Sequence, residues 1–167
     1  VELNATSGFA PLKLTSLTSM PTQWLAGGEI CYKDGTLWAY DGTRNKWLSI
    51  DTYSFSYYST SNSVSGYLLF GGNACSANYG PSIPWNSTIV AISLSSQNWS
   101  CQGRCTIRSW GNDIGADLWF DGTAYSYYID NLNISVSAGD TLQAYIDNVY
   151  TKPNKPLVNV WIKRRAN

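Results

Sequence analysis

Histidine is absent from the chain. Its absence removes the side chain most often used as a general base near neutral pH, so proton transfer would fall to paired carboxylates and a zinc site to cysteine alone. Glutamate occurs only at Glu2 and Glu29, methionine only at Met20, and charged residues make up 13% of the sequence. Good helix formers are sparse, and no stretch repeats apolar residues at helical spacing through three turns. Lysine plus arginine number 11, as do aspartate plus glutamate. No net field therefore steers the chain toward nucleic acid or an anionic membrane, and the one basic cluster, Lys163-Arg164-Arg165, reads as a solvated or protected strand end. No apolar run reaches the length of a spanning helix. Val1 in place of an initiator methionine leads us to expect an upstream piece that was removed or left out.

What the chain has in quantity is aromatic surface and turn chemistry. Tyrosine and tryptophan number 12 and 8, set among serine, threonine, asparagine and glycine. That mixture predicts a β-rich protein with broad, weakly charged surfaces. The strongest local signal is residues 28 to 50, which alternate apolar and polar residues on both sides of Asp34-Gly35, a two-residue hairpin turn. Residues 1 to 20 alternate more loosely around Gly8 and Pro11 and read as an extended N-terminal arm. Such an arm either folds back or adds a strand to a neighbour.

Beyond the hairpin, Tyr53, Phe55 and Tyr57 alternate with serines as a one-sided strand would, and Ser59 to Ser65 reads as a loop. Gly66 to Gly72 reads as a short apolar strand, and Asn73 to Pro84 as a long irregular connection of the kind that often carries binding. From Pro84 onward, alternating segments recur about every ten residues with turn signals between them. These are Thr88 to Leu94, Cys105 to Trp110, Ala116 to Phe120, Tyr125 to Ile129, Leu132 to Val136, Thr141 to Ile146 and Leu157 to Arg165. The fold class expected is all-β: an antiparallel β-sandwich or jelly roll, with an arm over residues 1–20 and one sandwich domain over 21–167 that includes the hairpin.

Four cysteines, Cys31, Cys75, Cys101 and Cys105, favour disulfides over metal, because the C-x3-C spacing departs from a zinc knuckle; of the three pairings four cysteines allow, the simplest joins Cys101 to Cys105 and Cys31 to Cys75, and four buried free thiols are the alternative. Asp113, Asp117 and Asp121, with Asp34, Asp41 and Asp51, are the material for a carboxylate pair, yet most stand beside glycine in turns and need no reaction to explain them. No spaced acidic calcium loop is present. Exposed tryptophans beside amides and carboxylates suit sugar stacking, and Trp85 and Trp119 are the candidate glycan contacts. Asn4, Asn86, Asn98 and Asn133 head N-glycosylation sequons, no more than the composition yields by chance.

The segment Thr36-Leu-Trp-Ala-Tyr-Asp-Gly-Thr-Arg-Asn-Lys-Trp-Leu-Ser resembles a hairpin of tailed-phage virion proteins that precedes a β-sandwich. Ile83 to Ile92, Val136 to Ile146 and Val158 to Arg165 resemble the same proteins and are similar to jelly rolls of the complement-head and tumour-necrosis-factor type. The resemblance spans most of residues 28 to 165. It implies a virion-surface or otherwise extracellular structural subunit, without catalysis or cofactor, that forms a homo-oligomer, most often a trimer, and meets other virion proteins. Capsid decoration and head or tail fibres are the assemblies in view. Trp38, Tyr40, Trp47, Phe9, Leu12 and Leu14 are then the interface candidates. The alternatives are a lectin-like attachment module for a host-surface glycan and a secreted cellular fibre subunit that donates a strand; no nucleic acid, membrane or metal is expected. Asp41 to Trp47 is also similar to the end of a kelch repeat, but it occurs once and a propeller needs several copies.

Overall fold

The computed structural model describes residues 14–23 and 25–166. Among them there is no helix, and fourteen strands follow in order: β1 (Ile30–Lys33), β2 (Thr36–Asp41), β3 (Lys46–Ser49), β4 (Tyr53–Tyr58), β5 (Gly66–Tyr67), β6 (Leu69–Phe70), β7 (Asn73–Ala74), β8 (Ser87–Ser95), β9 (Gln102–Ser109), β10 (Asn112–Asp121), β11 (Ser126–Ile129), β12 (Ile134–Val136), β13 (Leu142–Thr151) and β14 (Leu157–Arg164). Contacts divide the described residues into two compact units, one within residues 14–50 with Ala166 and one of residues 51–165. The hairpin thus groups with the N-terminal residues, where the sequence reading had placed it inside the sandwich domain. Most of the expected arm, including Phe9, Leu12 and Asn4, lies outside the described residues. Of its remainder, Ser16 makes a single parallel bridge to Tyr32.

In the smaller unit, β1, β2 and β3 form an antiparallel sheet. Asp34 and Gly35 both have positive φ, 49° and 74°, so β1 turns into β2 through the tight mirror-image turn that the Asp-Gly pair specifies. Cys31, Trp38, Tyr40 and Trp47 are buried together, with Met20, Leu25 and Ala166 packed against them. Both indoles find acceptors: Trp38 Nε1 donates to the Lys33 carbonyl (3.2 Å) and Trp47 Nε1 to the Pro21 carbonyl (2.9 Å). Trp38, Tyr40 and Trp47, the interface candidates of the hairpin, are thus spent on this small core, each at most 8% exposed. Three short strands bury too little aliphatic surface to hold together, and these rings supply what is missing.

The larger unit is an antiparallel β-sandwich. One sheet has the order β10-β9-β13-β5 and the other β11-β8-β14-β4-β6-β7, with β12 also paired to β8. The Gly66 to Gly72 segment, expected as one strand, instead changes sheets: β5 pairs with β13 and β6 with β4, while Leu68 between them is fully buried. Inward alternation makes the core. Ile89, Ile92, Leu94, Val158, Val160 and Ile162 face Cys105, Ile107, Leu142, Ala144 and Ile146, each at most 1% exposed. Tyr57 is fully buried as well, and its hydroxyl spans the sandwich to donate to the Leu142 carbonyl at 3.1 Å. That bond lets a polar group sit in the core without the cost of an unpaired hydroxyl.

Candidate functional site

The inward residues of each sheet fix, by alternation, which residues face outward. On the β11-β8-β14-β4 sheet the outward residues fall into rows: Ser126-Ser95-Leu157-Tyr58, then Tyr128-Ser93-Asn159-Ser56, then Ala91-Trp161-Ser54, then Ser135-Thr88-Lys163. Lys163 is the one charged residue in these rows. Trp161 stands between Ala91 and Ser54, two small neighbours, and Ser56 Oγ donates to Asn159 Oδ1 at 2.7 Å.

The outward face of the other sheet is built differently. Its rows are Gln143-Arg108-Asp113, Tyr67-Tyr145-Thr106-Asp117, Asp147-Arg104-Trp119 and Thr151-Gln102-Asp121. Arg104 is the hub: Nε donates to Asp147 Oδ1 (2.8 Å), Nη1 to Asp117 and Nη2 to Asp113 (3.3 Å each). The Asp147 hydrogen bond, with the surrounding carboxylates, raises its already high pKa further. Arg108 donates to Asp113 (2.7 Å) and lies 3.5 Å from the centre of the Tyr145 ring. Thr106, flanked by Tyr145 and Asp117, is fully buried on this outward side, and its hydroxyl and Asp117 Oδ1 have no hydrogen-bond partner. The two arginines are thus occupied by carboxylates and rings of their own sheet.

At one end of this face is an open cleft of about 260 Å³ lined by Gln102, Gly103, Trp119, Phe120, Asp121 and Tyr150. Trp119 and Tyr150 are 61% and 87% exposed, so two aromatic faces are offered to solvent beside an amide and a carboxylate. Tyr150 reaches the cleft through a bulge: between the pairs Asp147–Arg104 and Thr151–Gln102, β13 has three intervening residues and β9 only Gly103. Gly103 is where the backbones close in; a Cβ there would lie 2.9 Å from Phe120 Cζ and 3.2 Å from the Asp147 carbonyl oxygen. The Asp121 carboxylate accepts from the Thr123 hydroxyl (2.6 Å) and backbone N–H (3.1 Å), bonds that lower its pKa. The Tyr127 hydroxyl accepts from the N–H groups of Gly122, Thr123 and Ala124 at 2.9–3.0 Å and fixes the loop after β10.

Of the two candidate glycan contacts, Trp119 stands at this cleft and Trp85 does not. Trp85 is partly buried, 5.1 Å from the Tyr53 ring and 5.0 Å from the Arg164 guanidinium. The cleft's other members were missed. Gln102 and Gly103 pass in sequence for spacers between cysteines, although a glycine inside an alternating run and the break in alternation after Ile146 are both bulge signals. The disulfide expectation is corrected: all four cysteines are free and buried. Cys101 immediately precedes β9 and Cys105 lies within it, and the three extended steps from Gln102 to Cys105 alone span about 10 Å, beyond the reach of a disulfide. Burial raises the thiol pKa at each, to about 12 at Cys105. None is placed to react as a thiolate.

The carboxylates are spoken for. Asp113 and Asp117 bind Arg104, Asp41 binds Arg44, and Asp34 binds Lys33. In the resembling segment, Asp41 Oδ1 accepts from the Arg44 N–H (2.9 Å), Tyr40 donates its hydroxyl to Asn45, and Trp47 enters the small core. Its residues thus hold a turn. Among the sequons, Asn133 is exposed, the Asn98 amide donates to the Lys152 carbonyl (3.2 Å), and Asn86 Oδ1 accepts from the Ala138 N–H (3.0 Å). Leu14, the interface candidate of the arm that falls within the described residues, is 36% exposed. Comparison of the chain with protein-family models, curated proteins and solved structures finds no match.

Proposed function

We propose that the chain is a non-enzymatic structural subunit of a virion or related extracellular assembly, and that it associates with copies of itself through the outward face of the β11-β8-β14-β4 sheet. The observation that supports this most is the composition of that face: small hydroxyl and alanine side chains around Trp161, Tyr58, Tyr128 and Leu157, with Lys163 as its single charge. Low charge and exposed aromatics mark the centre of an interface, and a flat face of short side chains allows two sheets to approach closely. The strand order also supports a jelly roll, the architecture of many capsid and lectin domains. In it β4 lies beside the final strand β14, and the links β8 to β9, β10 to β11, β12 to β13 and β13 to β14 each cross between sheets.

Magnitude narrows the proposal. Rows about 6.7 Å apart on strands about 4.8 Å apart give this face on the order of 500 Å². A stable interface needs about 800 Å² per partner, so further surface must contribute, and residues 1–20 are the natural source. A trimer, the form the resemblance implies, is the expected product. Sedimentation velocity on the full chain at 10- to 100-fold dilution steps tests this. We expect an oligomer that Trp161→Arg converts to monomer and that deletion of residues 1–20 weakens. A wild-type chain that stays monomeric at high concentration would sink the reading.

A further inference from the structure

We infer that the cleft between β9, β10 and the bulge of β13 is a binding site for a neutral saccharide, one or two pyranose rings held between Trp119 and Tyr150. Sugar rings present apolar C–H faces that stack on aromatic rings, and hydroxyls that bond amides and carboxylates. The cleft offers both kinds of partner. Trp119 and Tyr150 are among the most exposed large side chains of the larger unit, at 61% and 87%, while Phe120 closes the floor at 2%. Exposed aromatics of that size lose favourable burial unless something covers them.

The exposure is built into the sheet. A regular β13 would carry no extra residues opposite Gly103; the bulge there turns Tyr150 out, and only a glycine at 103 lets the strands pass at this distance. Asp121 supplies an acceptor whose orientation is set by Thr123 and by the loop clasped around the Tyr127 hydroxyl, so little ordering is left for the ligand to impose. Gln102 Nε2 donates to the Asp121 carbonyl at 3.0 Å, which leaves its amide oxygen as an acceptor for sugar hydroxyls.

The charge pattern selects among sugars. Asp121 is the one charged residue lining the cleft, and Arg104, whose guanidinium is 5.9 Å from the Trp119 ring, is already bound to Asp147, Asp117 and Asp113. An anionic sugar would meet that carboxylate with no cation in the lining to offset it. Neutral hexoses and their short oligomers are the class that fits. The cleft lies on the sheet opposite the assembly face, so this inference does not depend on self-association.

Saturation-transfer NMR on the full chain tests it, with methyl glucosides, galactosides and mannosides, their di- and trisaccharides, and sialyllactose as probes. We expect transfer to the ring protons of at least one neutral sugar, lost by tenfold or more in Trp119→Ala and Tyr150→Ala, retained in Tyr150→Phe, and unchanged in Trp161→Arg. Both aromatic side chains are exposed, so their removal leaves the core intact, and an unchanged melting temperature verifies that. No transfer to any neutral probe at millimolar concentration, equal transfer in Trp119→Ala, or preferential transfer to sialyllactose would each overturn the inference. A wild-type chain that stays monomeric yet shows transfer would instead count against the assembly reading alone.

Discussion

The two outward faces of the sandwich share strand geometry and differ in charge. One places Arg104, Arg108, Asp113, Asp117, Asp147 and Asp121 among aromatic rings, and its arginines are bound by groups of the same sheet. The other places serines, an asparagine, an alanine and four larger apolar or aromatic side chains around one lysine. A face that satisfies its own charges excludes a flat partner, because docking would strip water from ions that gain nothing in return. A face with a single lysine has little to desolvate at such a cost. The difference between them therefore bears on which face could meet a partner and which is better left to solvent.

Removing one cation from each face separates them most sharply. Arg104 is 18% exposed and serves three carboxylates, so Arg104→Met leaves a cluster of uncompensated negative charge. We expect a loss of about 2 kcal/mol, below the ~3–5 kcal/mol of a fully buried pair because solvent still reaches the site. Lys163→Met on the other face should change stability by less than about 0.5 kcal/mol. Adding Asp147→Asn to Arg104→Met should restore part of the loss. Chemical denaturation of the four chains reads this directly, and equal losses in the two single variants would erase the distinction drawn between the faces.

A smaller effect is expected where the charged face is cut by its cleft. Gly103→Ala places a methyl group 2.9 Å from Phe120 Cζ and 3.2 Å from the Asp147 carbonyl oxygen, so the ring must turn or the bulge must move. Overpacking of this kind costs about 1–2 kcal/mol. Amide exchange should quicken in β9 and β13 and stay unchanged in β4 and β14. Uniform quickening through both sheets would mean that the bulge has no local role.

How far this was readable from the chain alone depends on how local each signal is. Asp34-Gly35 specifies its turn through two neighbouring residues, and the Tyr53, Phe55, Tyr57 alternation assigns inner and outer sides within one strand; both are realised as read. The cleft depends on a register between β9 and β13, forty residues apart in sequence, where Gly103 meets an irregular stretch of the partner strand. No local window contains both halves. Trp38 and Trp47 misled for a related reason: a rich alternating sandwich implied that they were spare, whereas they core a separate small sheet. For Cys101 and Cys105, pairing treated spacing as proximity, and extended chain makes the two opposite; the four thiols are buried and free, the alternative to pairing.

The mildest test follows Asp121 into acid. Its folded pKa lies below the ordinary 3.8, first through the Thr123 hydroxyl and then through the Thr123 N–H. A depressed carboxylate pKa stabilises the fold above the unfolded value, and that contribution drains away as pH falls through the folded value. The stability difference between wild type and Asp121→Asn should therefore be constant above pH 3.8 and shrink below it. The change is small, because the carboxylate is solvated. Thr123→Ala should narrow the window by letting the folded pKa rise toward the unfolded one. Protonation also turns the charged acceptor of the cleft into a weaker neutral one, so saccharide transfer should weaken over the same acid range, while the proposed self-association through the face that carries only Lys163 should not. A self-association that dissolves in step with Asp121 would show that the two faces are coupled.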